Sequence, residues 1–243
     1  MEYKEVLVYS NIKVEEDIYV LSLIIGDDVK AGQFYMLKAW DEEPILARPI
    51  SVHSVEDGVV KFAYQVKGRG TKILSSLKPE DKVYVLGPIG NGLDTQKFKG
   101  KIALISGGIG IAPMLQIAKG LDGEIDLYAG FNKSPYLIDE FRKYCTNIYV
   151  TSEKDEGYFK GFITEIFNPF EYNVVICCGP EVMIKRVVEM CKNYATPVYV
   201  LMENKMACGV GACLGCACNT KEGKKRVCVD GPVFKGTDVM FSA

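Results

Sequence analysis

The chain has 243 residues, 48% of them hydrophobic, enough to bury real cores without disulfides, so its 9 cysteines need another explanation. Its 29 basic and 31 acidic residues are interspersed and leave a formal charge of −2, which provides no electrostatic footprint for nucleic acid. His53 is the 1 histidine, so mechanisms built on a histidine base, hydrolytic ones first, start at a disadvantage.

The opening MEYKEVLVYSNIKVEEDIYV mixes charged and apolar residues as a first strand and turn would, and does not read as a secretory leader. A cytoplasmic protein with reduced thiols is expected. Up to about residue 93, short β-rich runs alternate with turns: EVLVYS, IYVLSLII, GQFYMLKAW, ILARPISVHSV, GVVKFAYQV and DKVYVLG. They predict a small antiparallel β-barrel over 1–98. One short helix, from Thr71 as N-cap to about Leu77, interrupts it.

Within this half, ARPISVHS carries Arg48 and Ser51 on one strand, and KGRGT leads into the helix. An arginine offers a fork of donors to phosphate, and the Gly70 and Thr71 amides at a helix start offer a second anion contact. Taken singly, these are a surface arginine and a turn. His53 shares a strand face with Ser51 by two-residue alternation, which puts it within reach of the same ligand, but it reads equally as an ordinary polar barrel residue and is assigned no catalytic role.

After GPIGNGLD the pattern changes to α/β alternation: KIALIS, MLQIAKG, IDLYAGF, PYLIDEFRKY, NIYVTS, NVVICCG, EVMIKRVVEMCKNY and PVYVLM. A doubly wound parallel sheet over 99–202 is predicted. Its most apolar stretch, KIALISGGIGIAPMLQIAKG, is broken by Gly107, Gly108, Gly110 and Pro113, so no membrane span is expected. In GGIGIAP those three glycines sit between strand and helix, where backbone can approach a phosphate; Pro113 suits a first helical turn. Taken alone, such a turn is also a plain structural one. A second turn, CCGPEVM, puts Cys178, Gly179 and Pro180 at the carboxyl edge of the same sheet, where ligands of such folds bind, although a capped helix start reads the same way.

The tail, 203–243, fits neither pattern and reads as a small cofactor module. Cys208, Cys213, Cys216 and Cys228 form CxxxxCxxC followed by a fourth cysteine, a spacing used for plant-type [2Fe–2S] centres. Gly209, Gly211 and Gly215 let the backbone curl around sulfide and aim N–H groups at sulfur. A zinc site is the alternative, but paired CxxC knuckles are missing. Cys218 is not assigned as a ligand, since Cys216 keeps the CxxC spacing, and Cys145, Cys177 and Cys191 read as core residues.

RPIS, KGRGT, GGIGIAP, CGP and the cysteine tail, in that order, resemble the ferredoxin reductase-like flavoproteins, and among them most closely the electron transfer subunits of NAD-linked (class 1B) dihydroorotate dehydrogenases. The resemblance runs from the first strand to DGPVF at 230–234. It implies an FAD barrel, an NAD(H) domain and a [2Fe–2S] tail, with Arg48, Pro49, Ile50 and Ser51 along FAD and Ala63, Tyr64, Gln65, Gly70 and Thr71 completing that site. The chain departs from the pattern at Gln65, where many relatives carry arginine, and at Ile50, which fits only the RPxS subgroup. The resemblance further implies an electron relay and an FMN-containing catalytic subunit as partner, in a heterotetramer, in pyrimidine biosynthesis. Alternatives are the small subunit of an NADH-dependent ferredoxin:NADP⁺ oxidoreductase, which carries aspartate where this chain has Cys208, and a sulfhydrogenase diaphorase. A metal-binding or redox-sensing module without enzymatic activity is a further one. Lys133 and Ser134, after the second parallel strand, could accommodate a 2′-phosphate, and NADH is preferred over NADPH only as a lean.

Overall fold

The computed structural model describes residues 3–241; residues 1 and 243, the outer limits of the first and last predicted segments, lie outside these. The first half forms seven strands, β1 (Lys4–Glu15), β2 (Ile18–Ile24), β3 (Phe34–Lys38), β4 (Arg48–Ser51), β5 (Ser54–Glu56), β6 (Val59–Gln65) and β7 (Lys82–Ile89). Alternation sets their faces: in β1, Val6 and Val8 point inward while Leu7 and Tyr9 stay exposed.

All pairings are antiparallel, in the order β4-β3-β7-β1-β2-β6-β5. The outermost strands β4 and β5 are separated in the chain only by Val52 and His53, so the two edges meet and the sheet closes into a barrel. The Val52 N–H donates to the Gln33 carbonyl at 3.0 Å and the His53 N–H to the Lys61 carbonyl at 2.8 Å. The single strand predicted over 45–55 is thus two, bent at the closure. Tyr35, Leu37, Phe62, Tyr64 and Leu74 fill the interior.

The interrupting helix, α1 (Arg69–Ser75), begins two residues before the predicted start, with Gly68 as N-cap. Thr71 is instead the third helical residue. Its hydroxyl accepts the Lys67 and Gly68 N–H groups at 3.0 and 3.1 Å, the returning half of a capping box.

The second half contains β8 (Lys101–Gly107), α2 (Met114–Gly120), β9 (Glu124–Phe131), β10 (Asn147–Ser152), β11 (Phe159–Lys160), β12 (Val174–Cys178), α3 (Glu181–Asn193) and β13 (Val198–Leu201). Helix α3 buries Ile184, Val187, Val188 and Cys191, one stripe at helical spacing. The helix predicted over PYLIDEFRKY is only a 3₁₀ turn, Ile138–Lys143, entered through Leu137 at a left-handed φ of 63° that breaks helical propagation.

These strands are parallel, in the order β11-β10-β9-β8-β12-β13. The chain winds outward from β8 through β9, then returns to β12 on the other side, so the switch point lies between β8 and β12. The tail adds a hairpin, β14 (Ala217–Thr220) with β15 (Gly223–Arg226), then α4 (Val227–Asp230) and β16 (Val233–Lys235). Strand β16 pairs antiparallel with β13, so the tail is sewn onto the parallel sheet. Its Cys216, Cys218, Val227 and Cys228 pack against Phe34 and Met36 of the barrel.

A polar network is buried at the start of β9. The fully buried Asp126 carboxylate accepts from the Tyr172 hydroxyl and from Asn147, both at 2.8 Å, and the Tyr128 hydroxyl lies 2.7 Å from that of Tyr172. Tyr172→Phe removes a donor from a buried charge and is expected to cost about 1–3 kcal/mol. Urea unfolding of the holoprotein measures it; an unchanged midpoint would mean that Asp126 is satisfied without the tyrosine.

Candidate functional site

A cleft of about 460 Å³ opens where barrel, parallel sheet and tail meet. Pro49, Ile50 and Ser51 of β4, Ala63, Tyr64 and Gln65 of β6, and Cys178 of β12 all line it. Antiparallel barrel closure brings β4 beside β6, and the switch point brings β12 to them. The volume suits part of a large cofactor. Tyr64 stacks on Tyr19 with ring centroids 6.0 Å apart, and burial pushes its phenol well up. Gln65 donates to the Asp17 carboxylate at 2.6 Å, so its amide N–H is already engaged at the cleft wall.

Arg48, Gly70 and Thr71 form a second group beside the cleft. The Arg48 guanidinium lies against the bare Cα of Gly70, where a Cβ would come within 2.7 Å of its Cζ. The same guanidinium stacks over Trp40 at 5.4 Å and donates to the Leu46 carbonyl. Both anion contacts read from the sequence therefore converge on one spot, although the Thr71 hydroxyl is already engaged in its cap.

At the switch point the two glycine turns lie backbone on backbone. A Cβ on Gly110 would come within 2.6 Å of the Cys178 carbonyl carbon, and one on Gly179 within 2.8 Å of the Gly107 nitrogen. Pro180 abuts Gly107. Gly108, at φ 52°, faces open space apart from the Tyr136 hydroxyl at 3.9 Å from its would-be Cβ, which leaves room for a ligand to reach the turn. Burial raises the Cys178 thiol well above its ordinary range, with Glu203 adding to the effect, so it is a neutral wall rather than a nucleophile.

Four of the five cysteines of the tail gather in two pairs. The Cys213 N–H points at the Cys208 sulfur and the Gly215 N–H at the Cys213 sulfur, both at 3.4 Å, while the Cys216 and Cys228 sulfurs are 3.3 Å apart. Burial opposes ionisation of Cys208, but N–H donors from Cys213, Val210 and Ala212 outweigh it and lower the thiol to about 6. Burial and the Cys216 thiol push Cys228 up to about 12. Among the described residues no group of three or more His, Cys, Asp or Glu is drawn tightly enough for a single metal ion. Two thiol pairs, ringed by N–H groups, fit a two-iron cluster better. The cradle is close: a Cβ on Gly209 would strike Met36 at 2.9 Å, and one on Gly211 would strike Val229 at 2.6 Å. Arg226 ties the loop down, pairing with Asp230 at 3.1 Å and donating to the Gly211 carbonyl at 3.4 Å. Cys218 is held on β14 opposite Lys225, and Cys177 and Cys191 are buried in the parallel-sheet core.

Two sequence readings end elsewhere. His53 sits at the bend between β4 and β5, outside strand alternation, and is buried against the nucleotide-turn half rather than the cleft. Lys133 is engaged with Glu16 at 2.9 Å. Conversely, Lys67, Glu203, Asn204 and Lys205 line the cleft unforeseen. Glu203 is open at the rim, yet desolvation raises its carboxyl despite Lys67. The one signal for it was a polar ENK directly before the cysteine loop.

Residues 203–240 match the iron–sulfur cluster binding domain of dihydroorotate dehydrogenase B. Over 236 residues the chain is 47% identical to the dihydroorotate dehydrogenase B (NAD(+)) electron transfer subunit of Clostridium acetobutylicum, covering 97% of this chain and 96% of that one. The Clostridium perfringens subunit of the same name is 46% identical, with 99% of each chain covered. Among solved structures, one from the study of flavin-based electron bifurcation by an NADH-dependent reduced ferredoxin-NADP oxidoreductase superposes with a TM-score of 0.87 at 26% identity, covering 96% of this chain and 89% of that one. Near-full-length identity of this order, on a fold that carries the paired thiols and the cleft, makes the chain a member of the family of dihydroorotate dehydrogenase B electron transfer subunits.

Proposed function

We propose that this chain is the electron transfer subunit of an NAD-linked dihydroorotate dehydrogenase, an oxidoreductase component whose cofactors are FAD, a [2Fe–2S] cluster and NAD(H). The observation that carries the reading is spatial: the RPIS strand, Ile109, Ala112 and Pro113 of the glycine-rich turn, Cys178, and Met206 and Val227, which flank the cysteine loop, border one cleft. When bound, the flavin supplies two-electron exchange with the nicotinamide and one-electron exchange with the cluster. The protein's part is positioning. Strands β4 and β6 wall the flavin, Arg48 and Gly70 meet its phosphates, and Gly107, Gly108 and Gly110 with Cys178, Gly179 and Pro180 seat the dinucleotide. Cys208, Cys213, Cys216 and Cys228 hold the cluster. The apolar floor of Phe34 and Ile50 keeps water from the transfer path.

The corresponding division of the chain is a flavin barrel at 1–98, a nucleotide domain at 99–202 and a cluster module at 203–243. The catalytic partner of an electron transfer subunit is here an FMN-containing subunit that oxidises dihydroorotate, in a cytoplasmic heterotetramer. No helix among the described residues is long and apolar enough to cross a membrane.

The test is a pull-down of the tagged chain from its own cells, assayed for dihydroorotate-dependent NAD⁺ reduction. Activity with an FMN-containing partner is expected. A yellow-brown complex that ignores dihydroorotate but reduces ferredoxin or NADP⁺ would move the chain to the second reading, which the TM-score of 0.87 to the oxidoreductase structure favours.

A further inference from the structure

The relay leaves one buried titratable group unused. His53 has no side-chain exposure, and its ring crosses from the barrel closure into the nucleotide domain. Nδ1 lies 2.7 Å from the Ala112 carbonyl oxygen and Nε2 lies 3.4 Å from Oε1 of Glu140, on the 3₁₀ turn after β9.

Both partners are acceptors. A carbonyl offers only lone pairs, so Nδ1 carries a proton; a neutral ring would then present a bare lone pair at Nε2 to a carboxylate. That arrangement is repulsive unless a proton is shared between Nε2 and the Glu140 carboxyl, which turns the contact into a hydrogen bond. The lowered Glu140 carboxyl agrees, with the His53 hydrogen bond as its largest cause and desolvation acting against it.

The contact is the centre of a built junction between β5 and α2. The Val55 N–H donates to the Gln116 side-chain oxygen at 3.0 Å, and Lys119 reaches both the Val55 carbonyl and Glu56 at 3.1 Å. Lys61 of β6 holds Glu56 at 3.0 Å. The charged groups around His53 are therefore Glu140, Glu56 of β5, Lys61 of β6 and Lys119 of α2. Ala112 itself, with Pro113, walls the cleft and ends the glycine-rich turn, so the hydrogen bond grips the backbone of the turn directly.

We propose that His53 is a positioning residue: engaged through both ring nitrogens, it clamps the glycine-rich nucleotide turn to the closure of the flavin barrel and so fixes how the dinucleotide is presented in the cleft. This rests on reading 107–113 as the nucleotide turn. Because the Glu140 value in the folded chain is lowered, its share of the clamp is present above the ordinary carboxylate range and is lost as pH falls through the lowered value.

The experiment uses the full-length holoprotein and the variants His53→Leu and Glu140→Gln. Three readouts are taken: the pH profile of NADH-driven dye reduction, equilibrium NADH titration, and hydrogen–deuterium exchange at amides 112–117. His53→Leu deletes both hydrogen bonds at similar volume. It is expected to weaken NADH binding about tenfold and speed that exchange, with flavin and iron per chain unchanged. Glu140→Gln keeps a hydrogen-bonding side chain beside Nε2 but no longer titrates, so it is expected to keep the maximal rate and flatten the acid limb. Wild-type affinity and exchange in His53→Leu, loss of its flavin, or a wild-type acid limb in Glu140→Gln would each overturn the clamp. If His53→Leu does not fold, the Glu140→Gln profile decides alone. Should the wild-type chain fail to oxidise NADH, the proposed function falls, while exchange at 112–117 in the variants still decides the clamp.

Discussion

Gly110→Ala is expected to cut NADH-driven dye reduction about a hundredfold while leaving bound flavin in place, because a displacement of the nucleotide turn by about 1 Å is enough for a loss of that order. The added methyl has nowhere to go. It would come within 2.6 Å of the Cys178 carbonyl carbon and 2.8 Å of the Gly179 Cα, and both are backbone atoms at the end of a central strand. The two turns must part, and the cost of overpacking, about 1–3 kcal/mol, falls on the turn proposed to seat the dinucleotide. The flavin wall on β4 and β6 is left intact. Gly107→Ala is the control: its methyl would meet the flexible Met183 thioether and the Pro180 ring, each at 2.8 Å, so a smaller loss is expected. Equilibrium NADH titration alongside dye reduction measures both, and equal effects of the two variants would refute the backbone-contact argument.

Cys213→Ser is expected to separate the two halves of the relay. Cys213 is exposed, so its loss does not open a core, and flavin content and NADH-driven dye reduction should stay within about twofold of wild type. With Cys213 as a proposed cluster ligand, delivery between partner subunit and NAD⁺ should fall at least about a hundredfold, since loss of a direct ligand exceeds the effect of losing an outer hydrogen-bond partner. Iron and sulfide per chain, the visible spectrum and partner-dependent NAD⁺ reduction measure it. Retained delivery by a cluster-free variant would count against the relay role of the tail.

Much of this was legible in the chain because local chemistry carried it. Alternation in β1 and the helical stripe of α3 mark elements that bury one face, and neither depends on distant partners. CxxxxCxxC with its glycines is a local loop requirement, and it folds as two thiol pairs ringed by N–H groups. Of the readings that changed, one depends on contacts distant in sequence and two on local backbone and capping geometry that residue pattern does not mark. The 45–55 strand breaks because barrel closure bends it at Val52 and His53; the 135–144 helix shortens behind Leu137; and Thr71 returns its hydroxyl to residues before the helix.

Composition, periodicity and cysteine spacing by themselves determined a barrel, a parallel sheet and a thiol loop, since each arises from the preferences of neighbouring residues. Only the tertiary structure decided what these share. It set Glu203 and Lys67 in the cleft, paired β16 with β13 so that the thiol loop meets the barrel, and turned the sole histidine from the cleft into the domain junction. Those outcomes depend on which segments, far apart in the chain, bury one another's surfaces, and residue spacing along the chain carries no record of that.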